Sequence, residues 1–135
     1  MTSLPSHVRW LGQMAREDVY KLMAGARLLV FPSECYENFP LVLAEAFATG
    51  LPVIASAHGA ALSIVDDGRN GVHFRPGDWR DLARRVGELW NDVSKLREMR
   101  HAARAEYVEK YTAERNYDML LRIYETAVNA SAGQC

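Results

Sequence analysis

Two short apolar runs flank a helix-forming stretch in the first half of the chain, and this arrangement restricts the possible folds. The runs cover residues 28–31 and 52–55, and each is continuous in the manner of a buried parallel strand. Between them, Leu41–Ala48 consists almost wholly of apolar residues that favour a helix. The pattern predicts strand, loop, buried helix and strand, an order that is typical of a parallel sheet covered by helices.

Two glutamates interrupt this apolar pattern. Glu37 lies just before the predicted helix, and Glu45 lies inside it among alanine, leucine and phenylalanine. A buried carboxylate is unfavourable unless a partner bonds to it, and the hydroxyls of a sugar or ribose donate hydrogen bonds without a counter-charge. The alternative for Glu45 taken alone is a position on a solvated stripe of the helix.

The wider pattern around these glutamates resembles a known signature. Seven residues separate Glu37 from Glu45, Phe39-Pro40 stands between them, and Gly50-x-Pro52-Val53 follows. This combination resembles the E-x7-E motif of group 1 (GT4-type) retaining GT-B glycosyltransferases. The resemblance implies a Rossmann-like, three-layer α/β fold with about four parallel strands. The chain would correspond to the C-terminal half of a GT-B fold, truncated at its N-terminal side. When completed by the missing N-terminal part, such an enzyme transfers a sugar from a nucleotide-diphosphate sugar to an acceptor with retention.

The resemblance also assigns roles to individual positions. Glu37 is the catalytic-site residue, which accepts hydrogen bonds from hydroxyls of the donor sugar, and Glu45 binds the ribose hydroxyls. The backbone at Asn38, Phe39 and Pro40 lines the sugar pocket, and Leu41 and Val42 give backbone N–H groups to the diphosphate. Gly59 approaches the phosphates, and Met14 lies near the base. Asn38 departs from the glycine usual in the family, and Ser63 stands where relatives often carry a glutamate.

Elementary structural chemistry agrees with that placement. Ligands of open parallel sheets bind beyond the carboxyl ends of the strands, where residues 37–41 are expected. The N-terminus of a helix presents unpaired N–H groups and a positive dipole end, so it can hold an anion such as a diphosphate. Charge that builds on a departing diphosphate would be stabilised by these donors.

The rest of the chain predicts two further strands and several helices. Strands are expected at residues 7–12 and 72–74, helices at 16–24 and 61–65, and a strand at 51–56 after the central helix. Three helices should finish the chain, with Asp78, Ser94 and Thr112 as caps. Trp79 is expected against the sheet edge and Trp90 on an inward face. The last helix carries an apolar stripe, which we interpret as a packing surface: Tyr117, Leu120, Leu121, Tyr124 and Val128. In the family it resembles, this helix crosses back toward the N-terminal domain, so the alternative for part of the stripe is a surface that faces a partner.

Composition narrows the class of protein. The 135 residues fit one domain, 1–135, with residues 131–135 as a disordered tail, and a net charge of −1 argues against nucleic acid as a partner. The two cysteines are too few for a disulfide framework, and the four histidines lack metal-ligand spacing, so no metal or other cofactor is expected. We expect a cytoplasmic location, or a peripheral one at the inner face of the membrane.

The family's basic pair, acceptor site and closing domain have no counterpart in this sequence. The expected partners are therefore a nucleotide sugar, an unknown acceptor, and a missing N-terminal GT-B domain or partner chain, and the chain alone should be inactive. The alternative function is a non-catalytic nucleotide-sugar-binding or assembly module. Residues 28–31 should form an unpaired sheet edge, which favours homo-oligomers or occupation of the vacant place by residues 8–11.

Overall fold

The computed structural model describes residues 4–132, with side chains to residue 130. Helices and strands alternate until the third strand, and three helices follow it. The elements are α1 Arg16–Gly25, β1 Leu29–Phe31, α2 Leu41–Ala48, β2 Val53–Ser56, α3 Ala61–Ile64, β3 Gly71–Phe74, α4 Trp79–Asn91, α5 Val93–Lys110 and α6 Ala113–Ala132. The predicted strand–loop–helix–strand segment is confirmed, with α2 at the expected residues.

The described strands form one parallel sheet in the order β1-β2-β3. Leu29 pairs with Val53, which in turn pairs with Gly71. Glycine is required at this last position because a Cβ atom on Gly71 would lie 2.3 Å from the carbonyl oxygen of Val53. The order leaves β1 as an edge strand, and Val30 in it is exposed. Pairing of this edge with a second copy stays a prediction, which sedimentation would test.

The two faces of the sheet bury separate apolar clusters because successive strand residues point to opposite sides. Val53 and Ala55 pack with α1, α2 and α3, in a cluster that includes the fully buried Leu43 and Phe47. Ile54 packs on the other face, in a second cluster drawn from β3, α4 and α5: Val72, Phe74, Leu89, Leu96 and Met99. Helices therefore cover both faces, which confirms the predicted three-layer α/β class.

The strand predicted at residues 7–12 is wrong. These residues form a turn, with the N–H of Val8 bonded to the carbonyl of Pro5, and irregular backbone. Val8, Trp10 and Leu11 are all exposed, so the segment buries too little apolar surface to offset the entropy of ordering a strand. It neither forms a fourth strand nor occupies the place beside β1, and the sheet of the described chain has three strands.

The helix caps agree with prediction at two of three places. Asp78 accepts hydrogen bonds from the N–H groups of Arg80 and Asp81 at the start of α4, and Thr112 accepts one from Arg115 in α6. The cap of α5 is Asp92, whose carboxylate accepts from the N–H of Lys95, so the prediction of Ser94 is wrong. An aspartate two residues earlier offers a charged acceptor to the first turn, and the helix begins there.

Three predicted packing surfaces are exposed instead. Trp79 is 67% exposed with the Arg80 guanidinium over its ring, and Trp90 is half-exposed beneath Arg27. Each ring contacts a cation. The predicted packing of Trp79 against the sheet edge is therefore wrong, and Trp90 is less buried than its predicted inward face requires. The apolar stripe of α6 is exposed along its length: Tyr117, Leu120, Leu121, Tyr124 and Val128. Because α6 continues to Ala132, the predicted tail at 131–135 begins too early; residues 133–135 lie outside those described.

Candidate functional site

Three loops converge beyond the carboxyl ends of the strands. The ring of Tyr36, after β1, lies 4.3 Å from the ring of His58, after β2. Gly59 has a φ of 54°, which favours glycine, and the position of a Cβ on it is 3.8 Å from the carbonyl oxygen of Cys35. In the same way, Glu34 Oε1 lies 3.3 Å from the position of a Cβ on Gly77, after β3. The loops are thus assembled at one edge, as parallel strands require.

The N-terminus of α2 opens into this edge without a side-chain cap. Pro40 precedes the helix and has no side-chain acceptor, and its carbonyl already accepts from the N–H of Leu43 at 3.0 Å. The N–H groups of Leu41 and Val42 bond to no acceptor within residues 4–132. Leu41 is 69% exposed, so this end of the helix is accessible. Two free donors at the positive end of a helix dipole can hold an anion.

Glu37 lies just before this helix end and is exposed. The hydroxyl of Ser33 donates to Glu37 Oε1 at 3.3 Å and accepts from the N–H of Cys35 at the same distance. The carboxylate is therefore oriented by one neighbour and otherwise faces solvent. Such a group can accept hydrogen bonds from the hydroxyls of a bound ligand.

Glu45 differs from its predicted environment. Its side chain is 25% exposed and forms an ion pair with Arg16, at 3.2 Å between Nη2 and Oε1. The same guanidinium donates to the Tyr20 hydroxyl at 3.2 Å. The expected burial of Glu45 among apolar residues is therefore only partial, and the first turn of α1 supplies a cation beside it. Contact of Glu45 with ribose hydroxyls stays a prediction. Only Oε1 is used in this way, and Oε2 has no partner among the residues described.

The other predicted positions surround α2. Asn38 is exposed, and because no non-glycine residue described has a positive φ, it replaces the family's usual glycine without strain. The ring of Phe39 lies 5.6 Å from the ring of Tyr111 in α5's C-cap. Met14 is half-buried before α1. A groove of about 820 Å³ beside the helix start is lined by apolar and polar residues, among them Phe39, Leu41, Ala44, Tyr107, Tyr111 and Met119.

Sequence reasoning missed several groups that the fold brings to this edge. Arg16, Ser33 and Tyr36 contact the predicted residues, yet none of them stands at a spacing that would indicate this. Buried polar atoms without hydrogen-bond partners also occur here, namely Ser56 Oγ and His58 Nε2. A buried polar atom without a partner is unfavourable, so these atoms are candidates for contact with a ligand or water.

The described chain also limits other kinds of site. Within residues 4–132 no three His, Cys, Asp or Glu side chains are grouped so as to hold a metal ion. None of the helices described combines the length and apolar character needed to cross a bilayer.

Comparison with known proteins identifies the family. Residues 2–106 match the sequence model of the family described as glycosyl transferases group 1. The chain belongs to this family. It is 37% identical to the D-inositol 3-phosphate glycosyltransferase of a Nocardioides species, over 89% of this chain and 26% of that protein. It is 31% identical to the sucrose synthase of Acidithiobacillus caldus, over 89% of this chain and 16% of that protein.

A solved structure shows the same fold. Anabaena HepE, crystallised in complex with UDP and glucose, is 29% identical and superposes with a TM-score of 0.80, over 92% of this chain and 32% of that one. The predicted relation to GT-B glycosyltransferases is therefore confirmed at the level of family and fold. The chain spans about a sixth to a third of the lengths of these three proteins, whose full activities belong to much longer chains.

Proposed function

We propose that this chain is the donor-binding part of a retaining glycosyltransferase that uses a nucleotide-diphosphate sugar. The N–H groups of Leu41 and Val42 receive the diphosphate at the start of α2. Glu37 accepts hydrogen bonds from hydroxyls of the sugar, and Glu45 accepts them from the ribose. Gly59, whose loop contacts that of Tyr36, borders the phosphates, and Met14 lies toward the base.

The observation that carries this proposal is the uncapped, accessible N-terminus of α2 at the carboxyl edge of the sheet. During transfer the bond between the sugar's anomeric carbon and the diphosphate breaks, and negative charge grows on the departing diphosphate. Donors that are already fixed by the helix need no rearrangement to stabilise that charge. Membership of the family and the UDP-bound relative HepE support a nucleotide donor.

Isothermal titration with UDP-glucose and GDP-mannose tests the proposal directly. The chain should bind at least one nucleotide sugar with a Kd of about 1 mM, equivalent to about −4 kcal/mol. Glu45→Gln and Glu37→Gln should each weaken it by about tenfold, the effect of losing one charged hydrogen bond. Glu125→Gln, which changes an exposed glutamate on α6, is the matched control. If all three variants bind the nucleotide sugar with the same affinity, neither Glu37 nor Glu45 contacts it.

A second candidate is a non-catalytic nucleotide-sugar-binding or assembly module. The exposed stripe of α6 and the groove beside Phe39 favour it, because together they present a large apolar surface next to the same site. Both candidates predict binding without sugar transfer by the isolated chain. They separate when an N-terminal GT-B domain is supplied in trans: restored transfer supports the enzyme, and a stable but inactive complex supports the module.

A further inference from the structure

A second cavity lies at the opposite edge of the sheet from the candidate site. Its volume is about 300 Å³, and Arg27, Arg97 and Arg100 line it together with Val93 and Leu96. Arg27 shortly precedes β1, and the carbonyl oxygen of Arg100 lies 3.3 Å from the position of a Cβ on Gly50, before β2. The cavity therefore faces the amino ends of the strands, whereas the loops around Glu37 face the carboxyl ends.

Three arginines contribute to the lining of this cavity, although apolar atoms form most of its wall. In the part of the chain that the structure describes, none of the three arginines forms a salt bridge. Arg97 is exposed and makes no hydrogen bond to any residue within 4–132. Like charges gathered at one place repel one another, and an anion between them would relieve that repulsion.

Two of the arginines bond to helix ends within the fold, but these bonds use only some of their N–H donors. Arg27 donates to the Trp90 carbonyl at 3.1 Å and stacks on the Trp90 ring, and Arg100 donates to the Ala26 carbonyl. These carbonyls end α4 and α1, and each helix end carries about half a negative charge. Two such ends offset about one of the three positive charges. Since each guanidinium has five N–H donors, most of them stay available.

The lining of the cavity indicates the chemistry of its ligand. Guanidinium groups match the oxygens of phosphate in a planar, two-bond geometry. Val93, which is 68% exposed, and the buried Leu96 provide an apolar wall beside them. We propose that this cavity binds the phosphate group of a ligand that also carries an apolar part. A soluble phosphate ester and the headgroup of a phospholipid share this chemistry.

Site-resolved NMR titration tests the proposal on the 135-residue chain. Inorganic phosphate should shift the amide signals of Arg97 and Arg100, and dihexanoyl phosphatidic acid should do so at lower concentration. Arg97→Ala should weaken both by about five- to tenfold, as expected for one charged hydrogen bond. Arg97 makes no bond in the fold, so its loss should not unfold the chain. Arg122→Ala, an exposed arginine on α6, should change neither titration.

Further variants separate this site from the one at α2 and separate the two ligand sources. Val93→Ser should weaken the binding of dihexanoyl phosphatidic acid but leave the affinity for inorganic phosphate unchanged. Leu41→Pro should weaken phosphate binding at α2, so that the shifts there need about tenfold more phosphate, while those at Arg97 persist unchanged. Failure of the proposed donor site would therefore not affect this result. Binding to vesicles of phosphatidic acid in phosphatidylcholine, but not to pure phosphatidylcholine, identifies a lipid source. Absence of shifts at Arg97 and Arg100, or equal weakening by Arg122→Ala, would overturn the proposal.

Discussion

The two ends of α2 differ in how their backbone groups are used. At the carboxyl end, the Thr49 hydroxyl and the N–H of Leu51 both donate to the Ala46 carbonyl at 2.8 Å. Arg104 of α5 donates to the Ala48 carbonyl at 2.5 Å. At the amino end, the N–H groups of Leu41 and Val42 have no acceptor in residues 4–132. The carbonyls of Ala46, Phe47 and Ala48 at one end are bonded within the protein, whereas the two N–H groups at the other end are free to bind a ligand.

The two ends of this eight-residue helix therefore have different roles: the carboxyl end contributes to the stability of the fold, and the amino end is available for ligand binding. The buried face of α2, including Leu43 and Phe47, packs with α5 and the sheet and holds the helix in place. The carboxyl end adds hydrogen bonds to that packing. The amino end can therefore present rigid, unpaired donors without loosening the helix. Changes at the two ends should accordingly have separable effects.

Gly50→Ala should have the largest effect on stability. Gly50 has a φ of 66°, and a Cβ atom there would lie 3.3 Å from the Arg100 carbonyl oxygen. The left-handed conformation and this contact together should lower the free energy of unfolding by about 2–3 kcal/mol. Urea denaturation measures this, and Gly25→Ala, where a Cβ meets nothing within 4 Å, is the control. Nucleotide affinity of the folded variant should stay the same; a parallel loss would mean that the two ends are coupled.

Leu41→Pro should act on binding alone. Proline is tolerated at the first position of a helix, and Pro40, with φ −73° and ψ 98°, already has a backbone compatible with a following proline. The substitution removes one free N–H, so affinity for a nucleoside diphosphate should fall about tenfold, or about 1.4 kcal/mol. Leu41→Ala keeps the N–H and should bind normally. Calorimetry that finds the proline variant unimpaired would contradict the role of this donor.

Glu106 should make the α5 contacts sensitive to acid. Its side chain is buried, and burial alone would raise its pKa, but hydrogen bonds from Lys110 and Arg69 and their charges bring the pKa below its usual value. The resulting stability is fully present above pH ~5 and is lost as pH falls through the folded-state pKa.

Glu106→Gln should therefore lower the free energy of unfolding by about 1 kcal/mol at pH 7 and flatten its decline below pH 5. Denaturation curves from pH 3 to 7 measure the difference. Exposed Glu98→Gln on the same helix should leave the curve unchanged. If the free energy of unfolding of Glu106→Gln falls with pH as steeply as that of the wild type, other carboxyl groups cause the acid sensitivity.

Arg16→Ala should have the smallest effect. The Arg16 side chain is 76% exposed, so solvent screens its ion pair with Glu45 and the pair should add little to stability. Its loss frees Glu45 Oε1 for a ribose hydroxyl, and affinity for a nucleoside diphosphate should rise by about twofold. Arg16→Lys should keep the wild-type affinity. A clear loss of affinity in Arg16→Ala would show that Arg16 itself contacts the ligand.

The part of the fold predicted well is the part with strong local patterns. Residues 41–48 are a helix in both prediction and structure because apolar helix formers lie between two apolar runs. The segment 7–12 has a strand-like composition, but its apolar side chains are exposed, so it gains too little from burial to order beside the free edge of β1. Composition alone could not show this. The cap at Asp92 was missed because two plausible acceptors, Asp92 and Ser94, stand close together.

The candidate site was predictable in its backbone and less so in its side-chain contacts. The position of Glu37 and Glu45 around the helix start follows from the motif and the strand order. The pairing of Glu45 with Arg16 joins residues 29 positions apart, and no spacing in the sequence indicates it. The same holds for the contact of Tyr36 with His58, which depends on how two loops meet.

The arginine-to-carbonyl bonds also bear on how the chain reaches its fold. They join Arg27 to Trp90, Arg104 to Ala48 and Arg100 to Ala26, at separations of 63, 56 and 74 residues. Contacts between such distant residues close long loops and slow folding. While a nascent chain lacks α5, the last carbonyls of α1 and α2 have neither of these donors. The amino-terminal helices should therefore dock only after the second half has been synthesised, and the loop around Glu37 should be among the last parts to become ordered.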